Sequence, residues 1–171
     1  MSQVEIIDNF LSKEQFDYIT HTIPNHIPWD YADGINLLGN DLNNYDWQMV
    51  HLFYHHQQHF VSGNFPILQP LLDKINPLVL QRIKLNLNPV ANKIVEHDYH
   101  IDIEPKEVAK KFTTAIYYIN TNNGYTAFED GTKVESIANR LVKFPAAMKH
   151  FGTTCTDQKY RLVLNLNYIE I

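Results

Sequence analysis

Arg161-Leu-Val-Leu-Asn-Leu-Asn-Tyr-Ile169 and Lys84-Leu-Asn-Leu-Asn88 both alternate leucine with asparagine. A period of two is that of a β-strand, so every Leu falls on one face and every Asn on the other. Asparagine is a poor strand residue. Four of them in matching phase read either as a face turned to bulk solvent or as the lining of a wet cavity. Arg161 is in phase with Asn165 and Asn167, which puts the three on one face and favours the cavity. Working outward, the chain from Gln81 offers further short strands: Arg82–Asn88, Ile94–His100, Phe112–Asn120, Gly124–Glu129, Lys133–Ala138, Leu141–Phe144 and Arg161–Ile169. They are β-branched or aromatic, and Asn, Gly, Asp and Pro break them. No helical pattern separates the later strands, so a doubly wound α/β sheet is excluded. An antiparallel jelly roll with helices at its N-terminal side is the expected package, a mainly β, α+β fold.

The N-terminal third supplies those helices. Val4–Phe10 reads as a strand. Ser12 then caps a helix, Gln15 completes the capping box, and Leu11 is placed to staple onto Phe16. Phe16, Ile19 and Ile23 share one helical face, and Pro24 predicts the stop. Pro28–Asn44, rich in Gly, Asn and Asp, reads as a loop that could cover a site. Asp46–Tyr54 alternates like a strand, and Ile67–Ile75 reads as a second helix closed by Asn76-Pro77.

At 171 residues the chain is one domain by length, with residues 1–79 supporting a barrel of residues 80–171. Its net charge of −5, without a basic run, argues against nucleic acid or an anionic membrane as partner. A single cysteine, Cys155, excludes an intrachain disulfide, and the opening MSQVEIIDNF lacks the pattern of a signal peptide. No stretch has the apolar length of a membrane span. A cytoplasmic location is the expectation; oligomeric state is left open.

The chemistry-bearing residues are His100, Asp102, His150 and Arg161. One His-x-Asp/Glu match is about what chance produces with nine His and 19 acidic residues, so the weight lies in context. His100 and Asp102, two apart near a strand end, project to one face. His150 precedes Phe151-Gly152, and Arg161 opens the last strand. Two histidines and a carboxylate can hold Fe(II) on one side and leave other coordination positions open. An arginine nearby can anchor the far carboxylate of an acidic co-substrate. His97-Asp98 is a rival pair; His97, three residues before His100, faces the opposite side of an extended strand unless a bulge intervenes. His51, His55, His56 and His59 read as a solvated strand end rather than a metal cluster.

Several stretches resemble the 2-oxoglutarate and Fe(II)-dependent oxygenases, in particular the prolyl-4-hydroxylase-like branch with its small stand-alone bacterial and phage members. They are His100-Ile-Asp102, Ala115-Ile-Tyr-Tyr-Ile-Asn120, Asn123-Gly-Tyr-Thr-Ala-Phe-Glu-Asp-Gly131, Asn139-Arg-Leu-Val-Lys-Phe-Pro145, His150-Phe-Gly152 and Arg161-Leu-Val-Leu-Asn-Leu-Asn167. Ile6-Ile-Asp-Asn-Phe-Leu-Ser12 is also similar to the start of such proteins. The resemblance implies a double-stranded β-helix, with His100, Asp102 and His150 as iron ligands and Arg161 on the C5 carboxylate of 2-oxoglutarate. It implies that Tyr118, the second of the tyrosine pair, contacts the same carboxylate. Where the family often carries a tyrosine before a proline, this chain has Asn88 before Pro89. The first and last barrel strands are neighbours in the family, so Asn86, Asn88, Asn165 and Asn167 would form one polar patch beside the iron.

The implied activity is hydroxylation of a C–H bond with O2, yielding succinate and CO2, on a small-molecule or peptide substrate, a prolyl or other peptidyl residue being one candidate. No side chain beyond the metal site need act as acid or base. A non-catalytic jelly-roll binding module and a cupin-like metal enzyme that does not use 2-oxoglutarate are the alternatives.

Overall fold

The structure is a computed structural model that describes residues 3–33 and 47–170. Strand β1 (Glu5–Ile7) leads into helix α1 (Lys13–His26). The capping box is present: the Ser12 hydroxyl accepts from the Gln15 amide, and the Gln15 side chain accepts from the Ser12 amide. Ile19 and Ile23 are buried, and Phe16 packs against the same core. Pro24 does not stop the helix, which runs on to His26. Pro24 offers no N–H to the Thr20 carbonyl, and the helix ends two residues beyond it.

Strand β2 (Asp30–Asp33) pairs with β3 (Trp47–His55). Residues 30–33 of the expected loop are therefore a strand, while 34–46, with the rest of the expected cover and Asp46, lie outside the described residues. β4 (Phe60–Val61) turns back on β3. A 3-10 turn (Phe65–Leu68) feeds α2 (Gln69–Ile75), which ends on Asn76 in the left-handed region at φ 51°, a conformation asparagine tolerates well.

β5 (Val79–Pro89), the short α3 (Lys106–Ala109), β6 (Thr113–Tyr118), β7 (Tyr125–Phe128), β8 (Lys133–Glu135), β9 (Arg140–Pro145), β10 (His150–Gly152) and β11 (Tyr160–Ile169) complete the chain. α3 forms within the charged stretch 104–111 that reads as a solvated loop. Pairing is antiparallel throughout, in a large sheet ordered β1-β9-β6-β11-β5-β3-β2 and a small one ordered β10-β7-β8.

The large sheet has two apolar faces of different kinds. Outward, Leu85 of β5 and Leu162, Leu164 and Leu166 of β11 pack under α1 and α2. Inward, Ile116, Tyr118, Val142 and Val163 meet Phe128 and Val134 of the small sheet. This is a jelly roll with its helices on the major sheet. The leucine–asparagine alternation explains the split, because the leucines bury against helices and the polar positions face the space between the sheets.

Ile94–His100 is not a strand. It runs beside β10 but makes only two isolated bridges, Glu96↔Thr153 and His100↔His150. The bridges are out of register by one residue, so three residues on one side oppose two on the other, and a continuous ladder cannot form.

Candidate metal centre

His100 and His150 face each other as a reciprocal backbone pair, each amide donating to the other's carbonyl at 3.0 Å. Side chains of directly opposed residues point the same way, and the two rings lie 4.7 Å apart between centroids. Asp102 follows within two residues, and candidate ligand atoms of His100, Asp102 and His150 all lie within 4.8 Å of one another. Among the described residues no other group of His, Cys, Asp and Glu is so arranged.

Hydrogen bonds set the tautomers. Nδ1 of His100 lies 3.0 Å from the Asp98 carbonyl, and Nδ1 of His150 lies 3.3 Å from that of Met148. A carbonyl only accepts, so each Nδ1 must carry the proton and each Nε2 keeps its lone pair. Nε2 of His150 is buried without a partner. A buried imidazole lone pair with nothing to accept is costly unless something electrophilic occupies the space. Burial, opposed by the Asp102 charge, pushes the His150 pKa down and keeps the ring neutral.

Asp102 is held on both oxygens. Arg82 Nη2 approaches Oδ1 at 3.1 Å, and Asn167 Nδ2 donates to Oδ2 at 3.1 Å. Burial alone would raise its pKa. The Arg82 charge and the Asn167 hydrogen bond work against that, with the histidines adding to it once they are protonated, and the carboxyl is held well below its ordinary range.

Arg161 lies 2% exposed on the inward face of β11, opposite Asn88. Nε donates to the Ser136 hydroxyl at 2.9 Å and Nη2 to Thr126 at 3.1 Å. Both partners are neutral, so a buried guanidinium has no counter-anion among the described residues. Space for it is made by two glycines. A Cβ on Gly124 would come within 2.7 Å of the Arg161 stem and of the Thr154 carbonyl, and one on Gly152 within 3.2 Å of Nη1. Tyr118 is buried beneath, its ring 5.6 Å from the guanidinium carbon and its hydroxyl donating to Thr126.

Triad and arginine share one cavity of about 720 Å³ between the sheets. Asn86, Asn88 and Asn165 line it, whereas Asn167 turns to Asp102 and Thr114.

No family model matches the chain, and no curated protein does. Solved structures do. An oxidoreductase of the 2OG-Fe(II) oxygenase family from Burkholderia pseudomallei superposes with a TM-score of 0.65 over 98% of this chain and 85% of its own, at 10% identity. A prolyl-4-hydroxylase from Pseudomonas putida gives 0.58 over 98% and 93%, at 14% identity. The epimerase SnoN, in complex with Fe3+, alpha ketoglutarate and nogalamycin RO, gives 0.62 over 98% and 79%, at 12% identity. The fold is that of the 2-oxoglutarate/Fe(II) oxygenases.

Within that oxygenase fold the donor set present fits both groups. Two neutral imidazole lone pairs and a carboxylate suit a divalent iron, and the orphaned His150 Nε2 is accounted for by it. A buried guanidinium without an anion suits a carboxylate. His97 also lines the cavity, because the slipped register brings it round, but His97 and Asp98 do not join the triad. The histidine cluster divides. His51 is buried with Nε2 3.0 Å from the Ser62 hydroxyl, contrary to a solvated reading, while His56 and His59 are exposed.

Sequence reasoning missed Arg82 and Lys84. Both stand in phase with Asn86 and Asn88, so the alternation that singled out the asparagines also placed these two cations on the cavity face.

Proposed function

We propose that the protein is an Fe(II)- and 2-oxoglutarate-dependent dioxygenase that hydroxylates a C–H bond. The observation that carries the reading is the convergence of His100, Asp102 and His150 around one point, with an unpaired buried arginine on the wall of the same cavity. His100 and His150 would hold the metal through Nε2 and Asp102 through a carboxylate oxygen. The groups that touch them, two backbone carbonyls, Arg82 and Asn167, keep these atoms aimed. Arg161 would bind the C5 carboxylate of 2-oxoglutarate, with Ser136, Thr126 and Tyr118 fixing the guanidinium and Asn88 opposite it. When bound, iron and 2-oxoglutarate supply O2 activation and oxidative decarboxylation to succinate and CO2. The protein's own part is to orient both, and the apolar wall of Ile116 and Val163 limits water around them. No side chain is assigned a proton-transfer role. Candidate substrates are small molecules and peptidyl residues, prolyl among them.

Asp102→Ala tests the reading. Succinate release from 2-oxoglutarate in the presence of Fe(II) should fall by roughly a hundredfold or more, and Mn(II) uptake by equilibrium dialysis should fall with it. Full succinate production by this variant would refute the site.

A further inference from the structure

Lys84 is the cation that the metal centre leaves without a task. It stands on the cavity face of β5, two residues from Arg82 and two from Asn86, directly across from Asn165. Arg82 is paired with Asp102, and Arg161 is bonded to Ser136 and Thr126. Lys84 is half-buried and makes no hydrogen bond or ion pair among the described residues; the Asp102 carboxylate acts on it only from beyond contact, and burial and the Arg82 charge outweigh that. An ammonium that has lost part of its hydration without gaining a contacting anion is unfavourable, and an anion beside it would offset the loss.

A second observation lies on the same patch. The side-chain oxygens of Asn86 and Asn165 are both buried and unpartnered. Asn86 is the next inward residue along β5, and Asn165 is the cross-strand neighbour of Lys84. One cation and two acceptors therefore meet within a single pair of strands. The Lys84–Asn165 end of the patch is removed from the Arg161 subsite, with Asn86 standing between the two opposite Val163. Along β11, Arg161 and Asn165 are four residues apart, roughly 13 Å in an extended strand. A carboxylate held at Arg161 is not the one that Lys84 awaits.

We infer that the substrate carries a carboxylate that pairs with Lys84, next to an N–H group that donates to the oxygens of Asn86 and Asn165. This rests on the oxygenase reading above and narrows its substrate class. A free α-amino acid and the C-terminal residue of a peptide both present that chemistry. A residue inside a peptide chain does not, because its carboxyl is spent in an amide.

The test uses the protein loaded with Mn(II) and 2-oxoglutarate, titrated calorimetrically with each free L-amino acid, with its carboxamide, and with tripeptides ending in the same residue. At least one free acid or tripeptide should bind about tenfold or more tightly than its carboxamide. The series that binds names the source. Lys84→Met should erase the acid-over-amide preference, and Lys84→Arg should keep most of it. The inference is overturned if no carboxylate outperforms its amide, if the preference survives in Lys84→Met, or if Lys84→Met loses 2-oxoglutarate instead, which would make Lys84 the co-substrate's anchor. Should Lys84→Met fail to fold, the acid–amide comparison on the unaltered protein decides alone. A protein that takes up neither Mn(II) nor 2-oxoglutarate sinks the oxygenase reading and this inference with it. Normal co-substrate binding without an acid preference sinks this inference only.

Discussion

Arg161 shows how a single residue's burial becomes a functional argument. Its guanidinium is bonded only to neutral hydroxyls and sits where two glycines leave room. Burying a cation without its counter-ion is expensive, so the position makes sense when an anion arrives. Removing one partner of a buried, hydrogen-bonded charge pair costs about 2–5 kcal/mol. Arg161→Met should therefore raise KM for 2-oxoglutarate on the order of 30-fold or more, with kcat changed far less, since binding common to ground and transition states is what is lost. Steady-state succinate kinetics check this; an unchanged KM would move the co-substrate's far carboxylate elsewhere. Arg82 acts differently. It touches no proposed ligand of the metal except Asp102, and it also donates to Oδ1 of Asn167, so its effect passes through that carboxylate directly and through the asparagine that holds it.

At the scale of elements, the barrel depends on how its first segment is tied down. Asn139, in the turn before β9, adopts the left-handed region at φ 62°. Its side chain accepts from the Leu11 amide and the Tyr117 hydroxyl at 2.8 Å each and donates to the Leu11 carbonyl at 2.9 Å. Its own carbonyl accepts from the Phe10 amide. One residue thus joins the entry to α1, the start of β9 and the end of β6. Asn139→Ala leaves the Tyr117 hydroxyl and both the amide and the carbonyl of Leu11 without their partner, for about 2–4 kcal/mol in total. In a chain of this length the melting temperature should fall on the order of 5–15 °C, measurable by thermal denaturation, with the metal triad untouched. A shift within error would mean that water replaces the lost bonds. β10 is the other decisive element. At three residues it is too short to announce itself, yet its bridge to His100 is what closes the triad.

The molecule as a whole stores buried titratable groups, and its stability should follow pH accordingly. Burial lowers the pKa of His150 and of His51 below the ordinary 6.5. The unfolded chain then binds more protons than the folded one just below about pH 6.5, so stability is lost as pH falls through that window. Asp102, held low in the fold, adds a second loss below about pH 4, where the unfolded carboxylate protonates first. The melting temperature of the metal-free protein should therefore drop between about pH 8 and about pH 5, and His51→Gln should flatten part of that slope; a level profile would contradict the neutral, buried histidines. Much of this architecture was legible in the chain itself. Period-two alternation and the Ser12 capping box are local patterns, and backbone geometry translates them directly into faces and ends. The one-residue slip beside β10, which breaks the expected strand Ile94–His100 and brings His97 into the cavity, was not legible. Neither were the pairing of Arg82 with Asp102, the burial of His51, nor the lack of a contacting anion at Lys84 and Arg161. Those depend on which residues lie opposite one another across strands far apart in sequence, and on which charges find a partner there. Periodicity assigned each residue a face; only the closed fold decided what that face meets.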